Sequence, residues 1–176
     1  MKIAGFLRGI NVGGKHKVPM DKLKEILLKT GFQNVKTILN SGNFIAEIND
    51  QKLNLIEKEL EAELIKNFSF DVPVILIQHS IIIELINKNP FADITLHDKL
   101  RLYVSFSKEL VSDKINIPYK SADSSFQIIH AYSNIIISYL DLSISSTPKG
   151  MDDLEKIFGK NITTRNWNTI IKLANN

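Results

Sequence analysis

Val35-Lys36-Thr37-Ile38-Leu39-Asn40-Ser41-Gly42-Asn43-Phe44-Ile45-Ala46-Glu47-Ile48 reads as strand, turn and strand. Residues 35–39 and 44–48 read as strands. Between them, Asn40 to Asn43 carry turn chemistry: Asn and Ser side chains bond the local backbone, and Gly42 accepts positive φ. Upstream, Pro19 suits the first turn of a helix with Leu23, Ile26 and Leu27 as its apolar stripe and Gly31 as its stop. Before that helix, residues 3–7 form a strand. Downstream, Asn49 and Asp50 can cap a helix on which Leu53, Ile56, Leu60 and Leu64 recur at helical spacing. Its acids Glu57, Glu59, Glu61 and Glu63 fall mainly off that stripe and read as a solvated face. Residues 72–78 make a fourth strand, with Pro73 tolerable at its start. The order is βαββαβ, the split-βαβ or ferredoxin-like unit.

The remainder follows a similar order. Residues 80–88 read as a short helix stopped by Asn89-Pro90, and residues 91–98 as a connector without periodicity. Leu100, Leu102, Val104 and Phe106 alternate with Arg101, Tyr103, Ser105 and Ser107, which predicts a half-buried strand. Residues 108–114 are expected to form a short helix, 115–124 a loop broken at Pro118, and 126–131 with 135–140 a hairpin around Tyr132-Ser133-Asn134. Residues 143–150 read as polar and flexible, and 151–158 as a helix ended by Gly159. Residues 161–163 make a brief strand, and Thr164 caps a last helix reaching about residue 174. The expected fold is therefore α+β. A ferredoxin-like half spans 1–90, a connector 91–98, and a second, degenerate ferredoxin-like half with an extra C-terminal helix 99–176. The two halves are read as a duplication packed as one globular unit, although no residue-level repeat is visible. Val74-Ile75-Leu76-Ile77 and Ile135-Ile136-Ile137 are apolar on both faces, which predicts sheets covered on both sides by the other half or a second subunit.

Composition excludes several classes of function. The 176 residues include no cysteine, which removes disulfides, thiolate chemistry and Cys-based zinc sites. The four histidines, His16, His79, His97 and His130, show no H-x-H or H-x-x-x-H spacing, and neither a metal nor a cofactor is expected. No apolar run approaches the ~18 residues of a membrane span, and the N-terminal run is too short for a signal-peptide core, so a cytoplasmic protein without membrane contact is expected. The net charge is only +3, and its distribution says more than its sum. Residues 1–36 carry eight Lys or Arg against Asp21 and Glu25, a net of +6, whereas residues 47–63 carry a net of −4. A positive field around the first loop and helix favours an anionic partner there.

That loop is Arg8-Gly9-Ile10-Asn11-Val12-Gly13-Gly14-Lys15, followed by His16-Lys17. Half of the eight glycines fall in the first fourteen residues, leaving the backbone bare for close approach to a ligand. Gly9 and Gly14 have P-loop spacing and Lys15 follows, but His16 stands where a Mg²⁺-binding Ser or Thr is needed, and the G-x-G-x-x-G pattern is missing too. Only three residues are arginine, Arg8, Arg101 and Arg165, and a guanidinium in a lysine-rich chain suits bidentate capture of phosphate or carboxylate. In a helix beginning after Thr164, Arg165, Asn168 and Lys172 would share one face near the anion-attracting N-terminus. The leading expectation is an anionic, phosphate-bearing small ligand in a cleft between the loop and the Arg165 segment. It would be lined by Arg8, Gly9, Asn11, Gly13, Gly14, Lys15, Ser41, Asn43, Arg165 and Asn168. Two alternatives stand beside it. One is single-stranded RNA or DNA bound on a ferredoxin-like sheet, with Phe6 and Phe44 on its central strands but without the aromatic stacking signature. The other is a structural or interaction role in which the glycine loop and Trp167 serve only packing. Reaction type, catalytic residues and oligomeric state are not specified by the sequence.

Leu7-Arg8-Gly9-Ile10-Asn11-Val12-Gly13-Gly14, Ser41-Gly42-Asn43, Asn89-Pro90-Phe91 and Thr164-Arg165-Asn166-Trp167-Asn168-Thr169 stand in an order that resembles a bacterial family known as domain of unknown function 1697 (DUF 1697). The likeness runs over essentially the full length. It implies a small cytoplasmic α+β protein of ferredoxin-like character, and brings with it no activity, substrate or catalytic residue.

Overall fold

In the computed structural model, residues 1–49, 52–111, 114–145 and 150–176 are described. Among them the chain forms nine strands and five α-helices in two antiparallel sheets, an α+β architecture. It divides into two units, one of residues 1–87 with 172–176 and one of residues 88–171.

The first unit runs β1 (Lys2–Leu7), α1 (Met20–Lys29), β2 (Gln33–Ile38), β3 (Asn43–Glu47), α2 (Leu53–Phe68), β4 (Val74–Gln78) and α3 (His79–Lys88). Its sheet is ordered β2-β3-β1-β4 with every neighbour antiparallel. The stripes Leu23, Ile26, Leu27 and Ile56, Leu60, Leu64 pack on Ile3, Leu7, Phe44, Ala46, Val74 and Leu76. Alternate positions on the same strands, Ala4, Phe6, Ile45, Ile75 and Ile77, are also buried, so these strands are enclosed on both faces. Phe6 and Phe44 are fully buried, which leaves neither ring open for a base to stack on.

Two packing features escape a reading of pattern alone. Gly5 lies opposite Phe44 in the β1–β3 ladder, and the Phe44 ring covers it so closely that a Cβ would stand 2.1 Å from Cζ. The acids of α2 are not all a solvated face. Glu61 Oε1 accepts the Val74 N–H at 2.7 Å, and Glu57 Oε1 accepts the Leu76 N–H at 2.7 Å. β4 is an edge strand in this sheet. Residues four apart on a helix rise ~6 Å and residues two apart on a strand ~6.7 Å, so one helical turn of glutamates matches successive outward donors of the edge. Capping these donors removes a template for edge-to-edge pairing. α2 starts after Lys52 without a side-chain cap, and the expected cap Asp50 lies outside the described residues.

The second unit contains β5 (Leu100–Ser107), β6 (Tyr119–Lys120), β7 (Phe126–Tyr132), β8 (Ile135–Asp141), α4 (Gly150–Phe158) and β9 (Ile162–Asn166), with sheet order β6-β7-β8-β5-β9. α5 (Trp167–Ala174) follows. Ile135, Ile136 and Ile137 are buried, in keeping with their two-sided apolar character. The short helix expected at 108–114 is not formed by the described residues there; residues 112 and 113 lie outside them. The backbone donors are taken elsewhere: Lys108 N by Asn161 O, Val111 N by Ser133 O and Glu109 N by Ser107 Oγ. Within the expected loop 115–124, Tyr119 and Lys120 pair with Ile128 and Gln127 as β6. Of the stretch read as flexible, residues 146–149 lie outside the described residues.

The turn between β6 and β7 is held by Asp123. Its Oδ1 accepts from Ser121 Oγ, Ser125 Oγ and Ser125 N at 2.7, 2.8 and 3.1 Å. These donors, the Ser121 hydroxyl foremost, hold the carboxyl down to about 2 from an ordinary 3.8. A depressed acid stabilises the fold above its unfolded pKa, and that contribution is lost as pH falls through the folded value. Asp123→Asn is therefore expected to flatten the acid limb of a stability profile between about pH 4 and pH 2, leaving the profile above pH 5 parallel to that of the parent. Urea midpoints measured at half-unit intervals check this; an unchanged acid limb contradicts it.

Candidate functional site

Residues 9–17 leave the end of β1 and return to α1 as a closed loop. Its tip is a two-residue turn: Val12 pairs with Lys15, Lys15 N donates to Val12 O at 3.1 Å, and Gly13 and Gly14 have φ of 58° and 74°. Positive φ at both central positions is what a type I′ turn requires, which is the physical reason for the adjacent glycines.

Asn11 closes the loop. Its Oδ1 accepts the Val18 N–H at 2.9 Å, while Nδ2 donates to Val18 O at 3.0 Å and to Asn40 O at 2.7 Å. One amide thus pairs both main-chain groups of Val18 and ties the loop to the β2–β3 turn. Leu7 N donates to Gly42 O at 2.8 Å, and a Cβ on Gly42 would lie 2.6 Å from Ile10 Cδ1. The first loop and the Asn40–Asn43 turn therefore meet. Beside them opens a groove of about 530 Å³ lined by Asn11, Gly14, Lys17, Val18, Pro19, Met20 and Asn40. Pro19 precedes the first turn of α1, which has no side-chain cap, so its N–H groups face solvent or ligand; Asp21 in that turn offsets part of the dipole.

The expected residues divide accordingly. Gly9, Asn11, Gly13, Gly14 and Lys15 are exposed in the loop, and Arg8 is half-buried with its N–H on Pro73 O. Ser41 is exposed, but Asn43 is fully buried and its Nδ2 donates to Ile38 O and Ser41 Oγ, the work of a turn residue. Arg165 and Asn168 belong to the second unit.

Their setting corrects the helix expected after Thr164. Residues 162–166 form β9, with Arg165 opposite Val104, and α5 begins at Trp167. The β-branched pair Thr163-Thr164 and the open side of β5 favour continued pairing. Asn166, not Thr164, caps the helix, its Oδ1 accepting Asn168 N at 2.9 Å. Arg165 and Asn168 therefore share no helical face. The Arg165 guanidinium donates to Thr163 Oγ1 and Thr164 O, each at 2.8 Å, and burial lowers its pKa to about 10. Trp167 packs edge-on to Phe91 with ring centroids 5.2 Å apart, joining two blocks 76 positions apart in the chain.

Lys17, Val18, Pro19, Met20 and Asn40 complete the groove. Lys17 belongs to the basic loop, Pro19 to the expected helix start and Asn40 to the expected turn, whereas Val18 and Met20 gave no signal in the sequence. Among the described residues no three His, Asp or Glu side chains are grouped to hold a metal, and no helix is long and apolar enough to cross a membrane.

The family model "Protein of unknown function (DUF1697)" matches residues 1–134. The chain belongs to the DUF1697 family. That match covers the loop, the groove and the β2–β3 turn. Among solved structures this DUF1697 chain is similar to the conserved bacterial protein SP0830 from Streptococcus pneumoniae, with 25% identity and a TM-score of 0.75 over 99% of this chain and 97% of that one. A comparison with curated protein sequences finds no match.

Proposed function

We propose that the groove beside the glycine loop binds a phosphate-bearing small ligand, with Lys17 and Lys15 supplying charge and exposed loop N–H groups supplying donors. One observation carries this reading: the groove combines bare backbone at Gly14, an uncapped helix start and Lys17, which no carboxylate pairs among the described residues. Anions are favoured at such a helix start by about 0.3–1 kcal/mol per charge, and bidentate or multiple contacts add to it. Asn11 acts as the loop's clasp rather than as a ligand, since both its Nδ2 protons are already donated.

A second feature belongs to the fold. Strands β7-β8-β5-β9 follow one another as second, third, first and fourth long strands of their unit, as β2-β3-β1-β4 do in theirs. This supports a duplicated ferredoxin-like ancestry in which the second unit replaced its first helix by an irregular stretch and β6.

A thermal-shift panel of phosphate, sugar phosphates and nucleotides tests the reading. A ligand at about 100-fold its Kd stabilises the parent by about 2.7 kcal/mol. Lys17→Ala is expected to lose most of that shift. Equal shifts in the parent and Lys17→Ala contradict the site.

A further inference from the structure

His16 stands in the loop between Gly14 and Lys17, which line this groove, in a held position although it is exposed. Its ring stacks on Phe70 with centroids 4.5 Å apart and planes 27° from parallel, and Nδ1 lies 3.2 Å from Gly9 O. A carbonyl only accepts, so Nδ1 carries the proton and Nε2 is left toward solvent. Phe70 is itself followed by Phe68 at 6.0 Å, so the imidazole is the outer member of a short aromatic series at the end of α2. Its backbone is left-handed, φ 51°, a conformation disfavoured for a non-glycine residue. One face of the ring is taken by Phe70, and the residue as a whole is exposed. Gly14 and Lys17, which line the groove, are two residues before and one after His16, no more than ~7 Å of chain away. Lys15 and Lys17 flank it directly, and neither has a carboxylate partner among the described residues.

We infer that His16 is a stacking platform, so that the ligand is a phosphate ester bearing a planar heteroaromatic ring: a nucleotide, free or as part of a single strand. This rests on the phosphate reading of the groove and adds the ring to it. The phosphate lies in the groove by Lys17, and the base lies on the open face of the imidazole. Stacking of this kind tolerates any base, because every base presents a π-face. The buried Phe6 and Phe44 have no part in it; the recognising surface is the loop, not the sheet.

Calorimetric titration of the full chain with AMP, ribose 5-phosphate, inorganic phosphate and a single-stranded oligonucleotide tests the inference. AMP is expected to bind about tenfold or more tightly than ribose 5-phosphate. His16→Ala should bring that ratio close to one while ribose 5-phosphate affinity stays as in the parent, and His16→Trp should restore the preference. Lys17→Ala should weaken AMP and ribose 5-phosphate alike. If the source is a strand, the oligonucleotide binds more tightly than AMP, with an affinity that falls steeply with salt; if it is a free nucleotide, AMP binds at least as tightly. Equal affinities for AMP and ribose 5-phosphate overturn the stacking role while leaving the phosphate site standing. Failure of every phosphate probe overturns both. His16 is exposed, and an unchanged melting temperature of the variants shows that the loss is one of contact rather than of fold.

Discussion

Gly5→Ala is expected to lower the stability of the chain by about 3 kcal/mol. The added carbon would meet Phe44 Cζ at 2.1 Å, Cε1 at 2.3 Å and Cε2 at 2.7 Å, so the whole ring must move. It has nowhere easy to go. Phe44 is fully buried, and Phe32 packs edge-on against it with centroids 5.8 Å apart and planes at 84°. Beneath both lie the apolar stripes of α1 and α2. Close-packed interiors answer such a demand with off-rotamer side chains and strand displacement, not with free volume. A double-mutant cycle isolates the cause. Phe44→Leu alone leaves a cavity, but in the Gly5→Ala background it relieves the clash, so the two changes should couple by roughly 1–3 kcal/mol in the compensating direction. Urea midpoints with unchanged m-values measure each corner; purely additive changes would refute the steric account.

Asn11→Ala is the second large effect, about 2–3 kcal/mol of stability together with loss of phosphate affinity. The substitution removes three hydrogen bonds, two to the backbone of Val18 and one to Asn40 O. Each is worth about 1 kcal/mol net, and solvent around the exposed loop recovers part of it. Asn11 also has φ 56°, where alanine is strained by about 1 kcal/mol. Asn11→Gly separates these terms, since glycine keeps the conformation and loses only the bonds. Asn11→Asp keeps the acceptor for Val18 N–H and sets a carboxylate against the Val18 and Asn40 carbonyls, so it should fare no better than alanine. Hydrogen exchange at residues 9–18 is the direct measure: protection falls in all three variants and stays near parent values in Lys17→Ala. Equal protection in Asn11→Ala would remove the clasp from the account.

The element order of the first unit is legible because the signals that set it have a single physical reading. The Asn40–Asn43 turn lies between two strands, the stripes on α1 and α2 have the period of a helix, and Gly42 stands where the chain passes against Leu7 and Ile10. The site was legible as a location and less so as a geometry. Gly13 and Gly14 pointed to a bare loop, yet both also satisfy a type I′ turn. Asn43 carried the same letter as Asn11 but is buried in the turn. The rest depended on partners distant in the chain. Glu57 and Glu61 look solvated until β4 presents Val74 and Leu76 to them. Thr164 looks like a cap until β5 extends β9 through Asn166. Gly5 looks like part of the glycine loop until Phe44 covers it. Local pattern carries the elements; these contacts exist only once the sheets have formed.

The central claim is that the groove lined by Gly14, Lys17, Pro19 and Met20 is a phosphate site. Amide chemical-shift mapping of the full chain during titration with ribose 5-phosphate tests it most directly. The account predicts saturable shifts concentrated at Gly13, Gly14, Lys17 and Met20, absent in Lys17→Ala. Shifts clustered elsewhere, or none at millimolar ligand, would contradict it.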